Sequence, residues 1–317
     1  VALDYGLFNN RITGTIEAYL KESEGLLNSV SQPAGISFAP VEFMNIGTME
    51  NKGIEFTINT VAVKSKNWNV DFGYNVTYNK NKITKLKNKI TKLTQFDDPS
   101  YEGIRWGGRS GGTGGSILIN SVGHPFGSFY VFKQVYGADG KPIDNLFEDL
   151  NRDGVINDKD LYRYKSINPD VLMGFSANIG YKKWNLGFVA RASIGNYIYN
   201  NVASATGTYR NLFDPLGYLA NVSTEILKSG FSGTGDKYFN SDYYIQNASF
   251  VRLDNINVGY NFGKVLDNKA NLRFVGTLQN VFVISKYKGA DPEIGSGIDN
   301  SFYPRPRTLT LGLNFDF

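Results

Sequence analysis

Apolar and polar side chains alternate along most of this 317-residue chain. Trp68, Val70, Phe72, Tyr74, Val76 and Tyr78 alternate with Asn69, Asp71, Gly73, Asn75, Thr77 and Asn79. Ile54, Phe56 and Ile58 alternate with Glu55, Thr57 and Asn59, and Trp184, Leu186, Phe188, Ala190, Ala192 and Ile194 with Asn185, Gly187, Val189, Arg191 and Ser193. Leu272, Phe274, Leu278 and Phe282 stand opposite Asn271, Arg273, Thr277 and Gln279. The last eleven residues set Leu309, Leu311, Leu313, Phe315 and Phe317 against Thr308, Thr310, Gly312, Asn314 and Asp316. A period of two places each set on one face of an extended strand. The runs reach the roughly 9–11 residues with which a tilted strand crosses a bilayer, whereas strands of soluble sandwiches are usually nearer 5–6. The expected fold is all-β, a transmembrane antiparallel β-barrel. Phe72, Phe188, Leu272 and Leu311 are expected toward lipid, and Asp71, Asn185, Arg273 and Asn314 toward the lumen.

Nine strands are predicted, at about 1–8, 11–20, 53–63, 67–79, 171–181, 185–197, 250–262, 269–283 and 307–317. Short turns at Asn9-Asn10, Lys64–Asn67, Lys182-Lys183 and Gly263–Asn268 alternate with long connections at about 21–52, 80–170, 198–249 and 284–306. Outer-membrane barrels alternate tight periplasmic turns with large outer loops in this way. Such barrels have even strand numbers, so nine strands ending in the periplasm imply an odd number before Val1. The expectation is therefore a carboxy-terminal piece.

Composition narrows the chemistry. No apolar run approaches the roughly 18 residues of a membrane helix. No secretory signal is visible, although a barrel of this kind must be exported. The chain has no cysteine and one histidine, His124, which removes disulfides, thiolate metal sites and most histidine triads. A net charge of +4 spread over mixed acids and bases is too mild to indicate nucleic acid. No nucleophile–base pair or catalytic carboxylate pair stands out, so no enzyme is expected.

Asp149-Leu-Asn-Arg-Asp-Gly-Val-Ile-Asn-Asp-Lys-Asp160 is the most specific chemical motif. Asp149, Asn151 and Asp153 occupy loop positions 1, 3 and 5, with Gly154 at 6, the Val155 carbonyl at 7 and Asp160 at 12. That is the oxygen spacing of an EF-hand loop, with Asp in place of the bidentate Glu. A structural calcium ion held by Asp149, Asn151, Asp153, Val155 and Asp160 is one reading; a metal-free acidic turn is the other. The glycine run 107–115 lacks phosphate-loop spacing and reads as a flexible loop. Aromatic segments Tyr197–Tyr199, Tyr209–Phe213 and Tyr243-Tyr244 fit either sugar stacking or packing among themselves or on a partner. Arg191 and Arg273 fall on the polar face, beside a solute path or against neighbouring parts of the protein. Lys80–Lys92 is a basic stretch, either a solvated face or a contact with anionic surface lipid.

Several of these segments also carry a family resemblance. Asn45-Ile-Gly-Thr-Met-Glu-Asn-Lys-Gly-Ile-Glu55, Tyr78-Asn-Lys-Asn-Lys-Ile83, Phe147-Glu-Asp-Leu-Asn-Arg-Asp-Gly-Val-Ile156 and Ser249-Phe-Val-Arg-Leu-Asp-Asn-Ile-Asn-Val-Gly-Tyr260 resemble motifs of the SusC/RagA-type TonB-dependent transporters of Bacteroidota. Gln279-Asn-Val-Phe282, Lys286-Tyr-Lys-Gly-Ala-Asp-Pro-Glu293 and Tyr303-Pro-Arg-Pro-Arg-Thr308 continue the series in the same order. The resemblance implies that residues 1–317 are the last nine strands of a 22-stranded plugged barrel in the outer membrane. It also implies import of oligosaccharides or oligopeptides, a SusD-like surface lipoprotein as lid, and TonB acting through an amino-terminal part. Two other classes remain open: a barrel serving as a structural component of a larger outer-membrane complex, and a secreted calcium-binding β-protein.

Overall fold

The computed structural model describes residues 1–31, 41–86, 103–108, 115–212, 221–235, 237–267, 269–301 and 303–317. Along the chain, β1 (Ala2–Leu7), β2 (Ile12–Ser31), β3 (Val41–Lys64) and β4 (Trp68–Lys85) come first. Six shorter strands follow: β5 (Ile104–Gly108), β6 (Ser116–Asn120), β7 (Ser128–Phe132), β8 (Gln134–Tyr136), β9 (Pro142–Phe147) and β10 (Leu161–Ser166). Next are β11 (Val171–Tyr181), β12 (Trp184–Ile194) and β13 (Tyr197–Tyr199), then the short helices α1 (Asn201–Thr206) and α2 (Ile226–Ser229). The chain ends with β14 (Ile245–Asn247), β15 (Phe250–Val265), β16 (Ala270–Ser285) and β17 (Thr308–Asp316).

Nine of these strands form one antiparallel sheet in the order β1-β2-β3-β4-β11-β12-β15-β16-β17. They are the nine strands that alternation predicts, in sequence order. The sheet is open among the described residues, with β1 and β17 as its edges. Tight turns at one end hold residues in the left-handed region, among them Asn9 (φ 54°), Asn10 (φ 61°) and Lys182 (φ 53°). Asparagine tolerates that region better than most residues, which suits the first turn.

The register carries the alternation across the sheet. Phe72, Ala177, Phe188, Ile256, Leu278 and Leu309 form one continuous row. Asp71, Asn178, Gly187, Asn257, Thr277 and Thr310 form the adjacent row on the opposite face. Leu272 and Leu311 fall on the face of Phe72 and Phe188, while Asn185, Arg273 and Asn314 fall on the face of Asp71. Near the turns the apolar face carries Trp68, Tyr181, Trp184, Tyr260 and Phe274 side by side. Ring centroids there are 4.3 Å apart for Trp68–Tyr181 and 4.6 Å for Trp184–Tyr260. Between this aromatic row and the row of Ile54, Tyr78 and Val171, no apolar-face position among the described residues is charged. The ten residue rises from Trp68 to Tyr78 span about 33 Å of strand, or about 25 Å of height at the tilt usual in membrane barrels.

Two expectations change. The connection expected at 21–52 is not a loop in the irregular sense: β2 and β3 stay paired from Ile12↔Thr60 to Ser31↔Val41, a hairpin that rises past the apolar belt. Strand β4 likewise runs on to Lys85. Charged residues such as Glu22, Glu50 and Lys82 stand there on the face that is apolar lower down, so the hydrophobic belt stops before the backbone pairing does.

The longer connections build a second body. Strands β10-β7-β6-β5 make a four-stranded sheet, and β8–β9 and β13–β14 make two small pairs. Ile117, Leu118, Phe129, Val131, Phe132 and Phe147 pack with Tyr199, Phe231, Tyr238, Tyr244, Ile245 and Ile298 in one core. The core thus draws on three separate connections and sits beyond the loop end of the wall. Among the described residues no helix is long and apolar enough to cross a membrane, which says nothing of strands.

Candidate functional site

Where the wall meets this outer body, two bulges interrupt the β15 pairings. One lies between Val189 and Ala190 of β12, the other between Leu253 and Asn255 opposite β16. Asn280 sits in the bulged part of β16 at φ 51°. A bulge re-aims side chains, and three arginines converge here on the polar face. Arg191 Nε donates to Asp254 at 2.8 Å, and its other nitrogens hold both carboxylate oxygens of Glu293. Arg252 Nη2 donates to Asp291 Oδ1 at 2.7 Å and Nη1 to Asn280 Oδ1 at 2.8 Å. Arg305 Nη1 reaches Glu293 Oε2 at 2.7 Å, and its Nε lies 3.6 Å from Asp291. Asn280 Nδ2 then donates to the Arg305 carbonyl at 2.7 Å.

Three guanidinium groups thus face three carboxylates with no net charge. Arg252 and Asp291 are almost wholly buried, with 2% and 4% of their side chains exposed. The Phe250 ring lies under both Arg191 and Arg252, at 5.9 and 5.6 Å from the guanidinium carbons. Beside the cluster a cleft of about 450 Å³ is lined by Asn75, Met173, Arg191, Ser193, Phe250 and Glu293, among others. Of the cluster, sequence reading singled out Arg191 alone. Its neighbours lay inside motifs noted for resemblance: Arg252 in the Ser249–Tyr260 segment, Asn280 in 279–282, Asp291 and Glu293 in 286–293, and Arg305 in 303–308. Four motifs spread over residues 249–308 are one structural unit. Arg273 stays outside it, its guanidinium lying over Gly259, where an added Cβ would come within 3.2 Å of Nη2.

The acidic loop forms the second candidate. Gly154, at φ 80°, donates its N–H to Asp149 Oδ2 at 2.8 Å. Asp153 N donates to Asn151 Oδ1 at 3.1 Å and Val155 N to Asp153 Oδ1 at 2.9 Å. Asp160 is fully buried and accepts from the backbone N–H groups of Leu150 at 2.9 Å and Asn157 at 2.8 Å. Those bonds, Asn157 first, hold its carboxyl below the usual range for aspartate. Asp149 Oδ1 is buried with no hydrogen-bond partner. The chain therefore brings the predicted residues into one turn. Among the described residues, however, no three acidic or histidine side chains already stand close enough to hold a metal. The loop also ties the outer body together: Arg105 of β5 donates to Asp158 at 3.0 Å, and Lys237 donates to the Ile156 carbonyl.

The remaining candidates resolve in several ways. Tyr199 and Tyr244 are core residues, and Tyr197 and Tyr243 pack on that core. Tyr209 is exposed, and Phe213 lies outside the described residues. Gly107 and Gly108 end β5, and residues 109–114 of the glycine run lie outside the described residues. Of Lys80–Lys92, Lys80, Lys82 and Lys85 lie on β4, and residues 87–92 are outside the described residues.

An apolar-belted antiparallel wall surmounted by a packed outer body defines the class: a β-barrel wall of the outer-membrane type. No protein-family model matches the chain. It is 42% identical over 321 residues to the TonB-dependent receptor SusC of Bacteroides thetaiotaomicron, covering 99% of this chain and 31% of SusC. It is 29% identical to TonB-dependent receptor P3 of Formosa agariphila, covering 100% of this chain and 33% of that protein. Among solved structures, the RagAB peptide transporter matches all of the chain with a TM-score of 0.74 at 22% identity, over 34% of its own chain. The RagAB importer in its open-open state gives 0.76 at 22% identity, again over 34% of that chain. The chain belongs to the SusC/RagA-type TonB-dependent transporters and corresponds to the carboxy-terminal part of the barrel. It spans about a third of the length of the relatives it matches. These relatives are receptors and transporters, not enzymes.

Proposed function

We propose that this chain forms the barrel wall and outer loops of an outer-membrane active importer for large nutrients, oligosaccharides or oligopeptides. The observation that carries the reading is the wall itself, with one face uncharged over about the height of a bilayer's apolar band and the other polar. In this reading the apolar face meets outer-membrane lipid and the polar face lines the solute path. The outer body presents a preformed surface to a SusD-like lipoprotein lid, and TonB acts through the amino-terminal part of the protein. Similarity to SusC supports nutrient import, and likeness to a peptide importer keeps oligopeptides beside oligosaccharides. Deleting the gene and measuring uptake of labelled oligosaccharide and oligopeptide pools tests it. Loss of one uptake activity, restored by the intact gene, is expected. Unchanged uptake with an altered outer-membrane complex would instead favour a structural component.

We also propose that the 149–160 loop takes one calcium ion, held by Asp149, Asn151, Asp153, the Val155 carbonyl and Asp160. Support comes from the buried, partnerless Asp149 Oδ1 and from a turn that closes on Asp149 through Gly154. Three carboxylates in one loop repel one another, and a divalent cation offsets that repulsion. The ion would be structural, ordering a loop that already joins β5 to the segment bearing Lys237.

A further inference from the structure

Two motif segments find no use in the cluster or the acidic loop: Glu50-Asn-Lys-Gly53 and Tyr78-Asn-Lys-Asn-Lys82. Their lysines share the apolar face of the wall. Strand pairing sets Lys52 directly opposite Lys80, and Leu20 beside Lys52. The row one step toward the turns is Ala18, Ile54 and Tyr78, the last of the uncharged belt. The lysines therefore begin where the apolar band ends, at the height of lipid headgroups on the loop side. One row further out, Lys82 faces Glu50 and Glu50 faces Glu22.

Like charges directly opposite in a sheet destabilise it unless something between them is negative. The counter-charges within the chain are weak. Lys52 meets Glu50 only at 3.9 Å, with 66% of the lysine side chain exposed. Lys80 lies 5.8 Å from the centre of the Tyr78 ring, and Asp170 acts on it at longer range. Both ammonium groups thus keep donors free above an apolar strip of Leu20, Ile54 and Tyr78, all exposed. An amphiphile with a negative headgroup complements that arrangement, its acyl chains on the strip and its phosphate between the lysines.

We infer that Lys52 and Lys80, with Lys82 above them, bind the phosphate of an outer-leaflet phospholipid or phosphorylated glycolipid. The site rests on the membrane reading proposed above. Juxtamembrane lysines each strengthen binding to anionic lipid by about fivefold. The test is the full-length protein expressed in its own outer membrane, purified in mild detergent and examined by native mass spectrometry with a phosphate assay. Lys52→Gln with Lys80→Gln should lower co-purified phosphorylated lipid by about tenfold or more. Lys21→Gln, on the polar face, should leave it unchanged, and all variants should keep heat-dependent gel mobility. Equal lipid in the wild type and the double variant would overturn the site. So would displacement of the lipid by millimolar inorganic phosphate, which would mark a site for phosphate alone. Wild-type protein absent from the outer-membrane fraction would instead refute the membrane reading.

Discussion

Arg252 on β15 and Asp291 in the last outer connection, 39 residues apart, meet in a nearly dry ion pair of 2.7 Å. A buried pair is not in itself strong evidence of stability, because desolvation offsets much of the attraction. What it secures is position: it fixes the 286–306 connection against the polar face of the wall. Asp291→Ala leaves Arg252 buried with Asn280 and a distant Glu293, and should cost roughly 3–5 kcal/mol locally. Replacing both partners, Arg252→Met with Asp291→Leu, should be much milder. Limited proteolysis of the 286–306 segment checks the ranking. Equal protection in the wild type and Asp291→Ala would remove the pair from that role.

Asn280 offers a second handle, since its backbone is left-handed and its side chain bridges Arg252 to the Arg305 carbonyl. Asn280→Gly should keep the conformation and lose only the bridge. Asn280→Val should lose both and add about 1–3 kcal/mol of backbone strain. Thermal melts of the outer-membrane protein should rank wild type above Gly, and Gly above Val. A valine variant melting above the glycine variant would contradict the strain argument.

Much of the wall was legible in the sequence because a strand's period of two is a local property. Trp68 through Tyr78 announces its faces without reference to any partner. The convergence of Arg252, Asn280, Asp291, Glu293 and Arg305 was not legible, because bulges and a folded-back connection bring them together, and neither leaves a local period. The outer halves of β2 and β3 were missed for a related reason: with no belt to cover, their residues lose alternation while the backbone stays paired. The outer body was missed because its core is assembled from three segments that each look like aromatic loop.

The face assignment is open to direct test. Cysteine at Asp71 should label with a membrane-impermeant reagent reaching the lumen, and cysteine at Phe72 should not. Phe188→Arg, in mid-belt, should destabilise the wall by roughly 2–4 kcal/mol, whereas Asn185→Arg on the other face should be tolerated. Ready labelling at Phe72 with none at Asp71 would reverse the faces.

Acid and calcium should act on the same loop, with Asp160 common to both. The Asp160 carboxyl is held below its unfolded value by the N–H groups of Asn157, Asn151 and Leu150. A depressed carboxyl contributes its stability in full above the unfolded value of about 4 and loses it as pH falls through the folded value. Protection from amide exchange in residues 149–160, relative to the intrinsic rate at each pH, should therefore hold at neutral pH and fall below about pH 4, and Asp160→Asn should lower it at pH 7. Calcium should slow exchange further in the wild type by drawing Asp149 and Asp153, together with Asp160, onto one ion. Asp149→Ala with Asp153→Ala should abolish the calcium response while leaving the Asp160-dependent acid step in place. The barrel's heat-dependent gel mobility should survive both changes. Extracellular calcium modules commonly bind at about 10⁻⁴–10⁻³ M, so the titration must reach several millimolar. A loop whose exchange is the same with and without calcium at that concentration would leave the backbone N–H groups as the partners its carboxylates have.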